Sequence, residues 1–380
     1  PGGYSHEGGF RQAYFDAIVA GITEAIEGAH EDLQPGRILV GQRNVADAGV
    51  NRSVAAYQQN PEQERARYDT DTDTEMTLLK LEREDGVIGA LSWFAVHPTS
   101  LTFNNTLVSA DHKGFAALEM EKRMGEDNQI GDRFVAAFAQ SNCGDVTGNL
   151  NLDNTGPGVD DYDSARIIGR RQLDAAIEIF RSASEPLTGG VEVRLTAVDF
   201  TDLDVGDAYT RAGPQRTCFP AYGYSFGGGS TEDGGGHPLL VEGMLERDES
   251  IDALVQLIVA PPPVTDELRG CHAPKPILYP KTRQDPLPIG VAKLGQLAIV
   301  FIPSEVTTMS GRRMRETVRE VLSNEAEHVA IAGYSNDYAG YITTPEEYGT
   351  QQYEGGHTLF GPWTLPAFQQ DRVIRPWQRV

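Results

Sequence analysis

Cysteine is scarce in this chain. Three occur in 380 residues, Cys143, Cys218 and Cys271, and no two have CxxC spacing. That excludes a zinc site built from cysteine pairs and leaves room for one disulfide and an odd thiol. Positive charge is scarce too. The 32 Lys and Arg residues against 55 Asp and Glu give −23, so no basic face dominates, and a nucleic-acid partner or simple adsorption to anionic lipid is excluded. No run approaches the roughly 20 apolar residues of a membrane span. The chain opens PGGYSHEGGF, without an initiator methionine or a charged-then-apolar leader. It is expected to be a mature or truncated product whose targeting segment lies outside it. Internal repeats of 20–50 residues and a clear linker are also lacking, so residues 1–380 are read as a single domain.

What is present is a folded composition, 39% hydrophobic and 23% charged, long enough for a substantial core. Phe10, Tyr14, Ile18, Ile22 and Ile26 share one face of an amphipathic helix over 9–28. Helical patterns recur at 113–124, at 163–182 (Ile167, Ile168, Ala175 and Ile179 on one side) and at 309–322. Short apolar runs of strand length lie between them, beginning with Ile38–Val40. The alternation predicts an α/β or mixed α+β fold, a large mixed sheet flanked by helices. The acidic run DTDTDTE at 69–75 lacks the glycine turn of an EF-hand loop and reads as a solvated strand edge. Residues 201–249, with FGGGSTEDGGG at 226–236, read as a long ordered loop.

Four apolar runs end in chemistry. SWFAV leads into His97-Pro-Thr-Ser, and FVAAFA (134–139) into Gln140-Ser-Asn-Cys-Gly-Asp-Val-Thr-Gly-Asn149. LAIVFIP (297–303) leads into Ser304-Glu305-Val-Thr-Thr, and HVAIAG (328–333) into Tyr334-Ser-Asn-Asp-Tyr338-Ala-Gly-Tyr341. Ligands collect at the carboxyl ends of strands in open α/β sheets. If these strands share a sheet and a direction, His97, Asp145, Thr147, Glu305 and the tyrosines meet at one edge. An imidazole and a carboxylate delivered together suit zinc. The alternative is a hydrogen-bonded His97 and a helix-capping Ser304-Glu305 pair with no metal.

Gly223-Tyr-Ser225-Phe-Gly227 matches the G-x-S-x-G nucleophile elbow, which requires a strand before the serine and a helix after it. TCFPAY precedes it and GGGSTEDGGG follows, so Ser225 reads as an ordered loop serine.

Several longer segments are more specific. They are NRS at 51–53, WFAVHPTSL at 93–101, SADHKGFA at 109–116, FVAAFAQSNCGDVTGN at 134–149, TCFPAYGYSF at 217–226 and CHAPKPIL at 271–278. FIPSEVTTMSGRRMR at 301–315 and YSNDYAGYITTPEEYGTQQYEGGHTLFGPWTL at 334–365 continue the set. Together, over nearly the whole chain, they resemble the neutral ceramidase family of zinc-dependent amidohydrolases. The resemblance implies zinc held by two histidines, a glutamate and a tyrosine, of which the second histidine matches His97, the glutamate Glu305 and the tyrosine Tyr341. A phenol becomes a good ligand only on losing its proton, which zinc favours. Arg52 and Tyr353 match residues that line the substrate headgroup, and Asp145 belongs to the same polar network. Cys218 and Cys271 match the family's disulfide pair.

Two departures accompany the resemblance. The family's first zinc histidine lies in a segment just upstream of PGGYS, and none of His6, His30, His112, His237, His272, His328 or His357 sits in an equivalent motif. The family also continues into a β-sandwich domain beyond RPWQRV. Weak zinc loading and low activity are therefore expected of this stretch alone. Secondly, the family's GDVSPN loop, whose serine is needed for activity, here reads Gly144-Asp-Val-Thr147-Gly-Asn149. Threonine keeps the hydroxyl, and losing the proline frees the turn.

The implied activity is hydrolysis of the N-acyl bond of ceramide, at a membrane or micelle surface, to sphingosine and a fatty acid. Thr147 and Asp145 would orient water or the departing amine, Tyr353 would donate to the oxyanion, and Arg52 would hold the headgroup. Two alternatives stand beside it: a metal-free esterase using Ser225, and a lipid-binding relative impaired by Thr147 and Gly148. The disulfide fits a secreted or extracytoplasmic setting.

Overall fold

The runs SWFAV, FVAAFA, LAIVFIP and HVAIAG are continuously apolar rather than alternating, the pattern of strands covered on both faces. The computed structural model, which describes residues 11–128, 134–281, 285–322 and 325–370, covers SWFAV, LAIVF and HVAIA on both faces but leaves Val135 and Ala137 exposed on one face of FVAAFA. Its main elements are α1 (Gln12–Glu31), β1 (Gly36–Asn44), β2 (Glu75–Arg83), β3 (Gly86–Phe94), α2 (Asp111–Asn128), β4 (Val135–Gln140) and α3 (Asp161–Ser182). They continue with β5 (Glu185–Pro186), β6 (Val191–Val198), β7 (Leu287–Leu294), β8 (Leu297–Phe301), α4 (Thr308–Val321) and β9 (His328–Ala332).

The expected mixed α/β architecture is found, with the strands divided between two mixed sheets. One has the order β4-β3-β2-β1-β5 and the other β9-β8-β7-β6. Within these two sheets, among the described residues, only β3–β4 and β8–β9 pair in parallel. Side chains alternate between faces, so each central strand feeds two cores. Met76, Leu78, Ala90 and Phe94 meet Met120, Leu173, Ala176 and Phe180 of α2 and α3. Leu79 and Trp93 of the first sheet face Leu297 and Ala330 of the second. Val300, Val329 and Ile331 turn the other way, onto Met314 and Val318 of α4. Helices, sheet, sheet and helix thus form four layers. Truncating one of these buried side chains, Leu173 for example, would cost about 2–5 kcal/mol.

The four chemistry-bearing strands therefore do not share one sheet. They form two parallel pairs, one per sheet, whose carboxyl ends open onto the same edge. There the loop after β4 reaches the other sheet through Gly144 N–H donating to Val306 O at 2.8 Å. Short strands finish the edge: Glu305 pairs in parallel with Tyr341, and Val50–Asn51 runs antiparallel to Val146–Thr147.

Other expectations are corrected. The helix over 9–28 exists as α1, but none of its residues is buried; Tyr14, Ile18, Ile22 and Ile26 are exposed, and Phe10 lies outside the described residues. Periodicity specified the helix without specifying a partner for its face. The segment 201–249 is punctuated by short elements, including a strand at Ala221–Gly223 and a helix at Tyr224–Gly228. Ser225 therefore follows a short strand but lies inside the short helix, not on a turn between the two. Among the described residues no helix is long and apolar enough to cross a membrane. Cys218 and Cys271 form a disulfide, and Cys143 is free and buried.

DTDTDTE is not a solvated edge: Thr72 and Asp73 are buried. Arg312 of α4 donates to the carbonyls of Thr70 and Thr72, both at 2.9 Å, and Arg315 pairs with Asp73 while reaching Asn142 Oδ1 at 2.7 Å and Val329 O at 3.1 Å. Burial alone raises the Asp73 carboxyl, but Arg315 and Arg312 outweigh it and hold it below the ordinary range. A depressed pKa contributes stability that is fully present above the unfolded value of about 4 and is lost as pH falls through the folded one. Asp73→Asn should therefore lower stability at neutral pH by about 3–5 kcal/mol, the cost of breaking a buried pair. The gap to the parent should narrow below about pH 4. Urea midpoints across pH 3–7 test this, and a gap that ignores pH would count against it.

Candidate active site

β3 delivers His97, the segment after β8 delivers Glu305, and the loop after β9 delivers Tyr341. All three are at most 7% exposed. His97 Nδ1 donates to Val146 O at 2.9 Å, which fixes the tautomer and turns Nε2 toward the other two. Nε2 contacts Glu305 Oε2 and lies 3.4 Å from Tyr341 Oη. Tyr334 Oη donates to Glu305 Oε2 at 2.7 Å, and Tyr338 Oη donates to Oε1. Burial opposes charge on both partners. For His97 the Cys143 sulfur and Glu305 prevail over it and carry the pKa up to about 10, while His97 draws Glu305 down to about 2. Burial and Glu305 push the Tyr341 phenol well above its ordinary value, opposed by Arg52.

Arg52 binds this group to its surroundings. Its guanidinium donates from Nε to Glu354 Oε1 at 2.9 Å and from Nη1 to Asp233 Oδ2 at 2.7 Å. Nη2 donates to Gly144 O at 2.9 Å and Tyr341 Oη at 3.1 Å. The Tyr353 ring stands edge-on to Tyr341 with centroids 5.3 Å apart, and Arg52 lies over it at 5.4 Å. Thr147 forms a bridge beside His97. Its hydroxyl donates to Asp233 Oδ1 at 2.6 Å and lies 2.8 Å from Thr99 Oγ1. Burial raises the Asp233 carboxyl, but Arg52 and Thr147 reverse this and keep it below the ordinary range.

The structure thus brings His97, Glu305, Tyr341, Arg52, Tyr353 and Thr147 together. Asp145 stands one step behind: its carboxylate accepts from Thr308 N and Oγ1, each at 2.7 Å, and from Asn51 Nδ2 at 2.9 Å. Burial and Glu347 push it up to about 7. Ser225 Oγ donates to Gln351 O at 2.5 Å, and among the described residues no histidine is bonded to it.

Sequence reasoning missed Asp233, Glu354, Glu242 and Asn149. Asn149 Nδ2 donates to Asp233 Oδ1 at 2.8 Å, and Glu242 Oε1 accepts from Tyr353 N at 2.9 Å. Asp233 comes from the glycine-rich stretch, where Gly234 and Gly235 take positive φ and a Cβ on Gly236 would meet Gly227 O at 2.4 Å. The glycines mark a forced path, but nothing in their pattern says where it leads.

The donor set of imidazole nitrogen, carboxylate and phenol oxygen fits zinc chemically. Among the described residues a second group of potential ligands, Glu185, Glu327 and His328, lies at the amino end of β9, the far end from Tyr334. There the His328 ring is engaged by Gln42 and Glu185. A cavity of about 1190 Å³ beside Arg312 and Arg315 contains none of the converging site residues.

The family model described as neutral/alkaline non-lysosomal ceramidase, N-terminal, matches residues 4–370. The neutral ceramidase of Pseudomonas aeruginosa is 40% identical over 389 residues, covering 97% of this chain and 56% of its own. Neutral ceramidase A of Dictyostelium discoideum is 38% identical, covering 96% and 56%. A solved structure titled "Ceramidase complexed with C2" superposes with a TM-score of 0.83 at 41% identity, over 95% of this chain and 56% of that one. The chain spans about half the length of the relatives it matches.

Two substitutions test the buried cation. Arg52→Met strands Asp233 and Glu354 and should cost about 3–5 kcal/mol. Asp233→Asn keeps the shape and one partner and should cost about 1–3 kcal/mol. Denaturant unfolding measures both, and an Arg52→Met protein as stable as the parent would refute the arrangement.

Proposed function

We propose, from the premise that this chain belongs to the neutral/alkaline non-lysosomal ceramidase family, that it hydrolyses the N-acyl bond of ceramide to sphingosine and a fatty acid. The observation that carries this reading is the meeting of His97 Nε2, Glu305 and Tyr341 Oη at the shared edge of two sheets. These three side chains would hold zinc. When bound, zinc supplies Lewis-acid polarisation of the scissile carbonyl and lowers the pKa of water.

The chain's own residues supply orientation and charge. Val146 O keeps the His97 ring in one tautomer, and the Tyr334 and Tyr338 hydroxyls fix the rotation of Glu305. Arg52 faces Tyr341 Oη and favours its phenolate form. Tyr353 would donate to the developing oxyanion. Thr147 directs its proton at Asp233 and accepts from Asn149 N at 3.1 Å, so it would orient water or the departing amine by giving up its 2.8 Å contact with Thr99 Oγ1. Asp145 acts at one remove, holding the start of α4 and the Asn51 turn in place. The core shared by both sheets supports reading the chain as one catalytic domain. The substrate would be met at a membrane or micelle surface, and the disulfide suits a secreted or extracytoplasmic protein.

Fatty-acid release from a short-chain ceramide is the assay. Exhaustive chelation should abolish the low release expected of this stretch, and added zinc should restore it. Thr147→Ser should retain activity, whereas Thr147→Ala should lose at least about 10-fold. Ser225→Ala should stay near the parent rate. Turnover that survives chelation and disappears in Ser225→Ala would replace this reading with a serine esterase.

A further inference from the structure

His357 is buried, yet its Nδ1 has no hydrogen-bond partner, and none is found for Nε2 among the described residues. The ring lies among five aromatic rings, with centroids 4.4 Å from Phe226, 5.3 Å from Tyr341, 5.6 Å from Tyr222, 5.9 Å from Tyr338 and 6.0 Å from Tyr353. Phe226, Tyr338 and Tyr353 are only partly buried, so the enclosure has a face toward the outside. The position is tightly built. Gly340 has φ +72, and a Cβ there would stand 2.9 Å from the imidazole Cδ2 and 3.1 Å from Nε2. A Cβ on Gly356 would meet Phe226 N at 2.6 Å. Tyr341 N donates to His357 O at 3.1 Å, and Lys275 Nζ donates to the next carbonyl, Thr358 O, at 2.6 Å.

A hydrophobic residue would fill this space without stranding a polar nitrogen. Buried polar groups are almost always paired, and leaving one unpaired costs free energy. The residue makes sense if a ligand completes it. Two of the surrounding rings, Tyr341 and Tyr353, are those expected to flank the scissile amide, so a substrate group next to that amide is within reach. Imidazole offers one N–H and one lone pair, a match for a hydroxyl, which also donates and accepts. Hydrocarbon on either side of that hydroxyl would lie against the rings of Phe226, Tyr222 and Tyr338.

We propose that His357 is a specificity residue whose imidazole hydrogen-bonds a hydroxyl carried close to the amide of an N-acyl amino alcohol, so that the site prefers hydroxylated substrates to their deoxy forms. The proposal rests on the ceramide reading of the same site. The test uses the full chain with a soluble short-chain ceramide and its 1-deoxy and 3-deoxy analogues. Binding is followed by intrinsic fluorescence, and kcat and KM by fatty-acid release.

The parent should favour the hydroxylated compound over at least one deoxy form by about 10-fold in Kd and kcat/KM, since a site built for a hydroxyl penalises its absence. His357→Phe should erase that preference while leaving the deoxy form within about 2-fold, and His357→Asn should keep part of it. Equal binding of all three compounds by the parent would overturn the proposal. So would a preference that survives in His357→Phe, a uniform loss on every compound, or thermal melts showing that neither variant folds. Selective binding without any fatty-acid release would uphold the role of His357 and overturn the hydrolytic reading instead.

Discussion

The site depends on a cation that has been taken out of water. Arg52 is 6% exposed, and an unmatched buried guanidinium would cost far more than any one contact returns. Its match comes from four remote places in the chain: Gly144 O, Asp233, Tyr341 Oη and Glu354. None of these four can shift without uncovering charge. Tyr341 is the one among them that also touches His97, so the proposed ligand cluster inherits its geometry from the charge balance around Arg52. Asp233 passes the constraint on to Thr147 and Asn149, and Glu354 passes it to Ser53, whose Oγ donates at 2.6 Å.

A second anchor works from below. The disulfide and the segment after it hold the floor on which Tyr353 and His357 stand. Buried Lys275, its pKa pushed well below the ordinary value by burial, donates to Ala221 O and Thr358 O. His272 contacts the Tyr348 hydroxyl at 3.2 Å and Phe219 O at 2.8 Å. CHAPKPIL, legible in the sequence only as a piece of a family pattern, thus acts as a strap. It ties the strand at Ala221–Gly223 to the turns at 345–358 using backbone carbonyls that would otherwise lack donors.

Much of the site was legible because strands announce themselves. An apolar run gives way to polar residues at the sheet edge, and His97, Glu305 and the Ser141–Asn149 loop follow that pattern, although Ser92 and Thr77 sit buried within strands with their hydroxyls paired. The division into two sheets was not legible, since a continuous apolar run reports burial on both faces without naming what covers them. DTDTDTE misled for a related reason. Its threonines and aspartates look solvated until two arginines from α4, more than 200 residues away, take up its carbonyls and Asp73. Asp233 and Glu354 were out of reach because a glycine-rich loop carries no period to project. The resemblance reached Arg52, Tyr341 and Tyr353 where local chemistry alone would have read packed or solvated side chains.

These contrasts separate two kinds of buried polar group. Arg52, Asp73, Asp145, Arg315 and Glu347 are matched by groups of the chain itself, and their work is to fix position. His97, Glu305 and Tyr341 bring His97 Nε2, a Glu305 oxygen and Tyr341 Oη together, while the chain holds each from behind. Val146 O takes the proton of His97 Nδ1, Tyr334 and Tyr338 donate to Glu305, and Arg52 donates to Tyr341. Fixed partners at the rim keep the three central atoms in place, and a site set before its ligand arrives is what preorganisation requires.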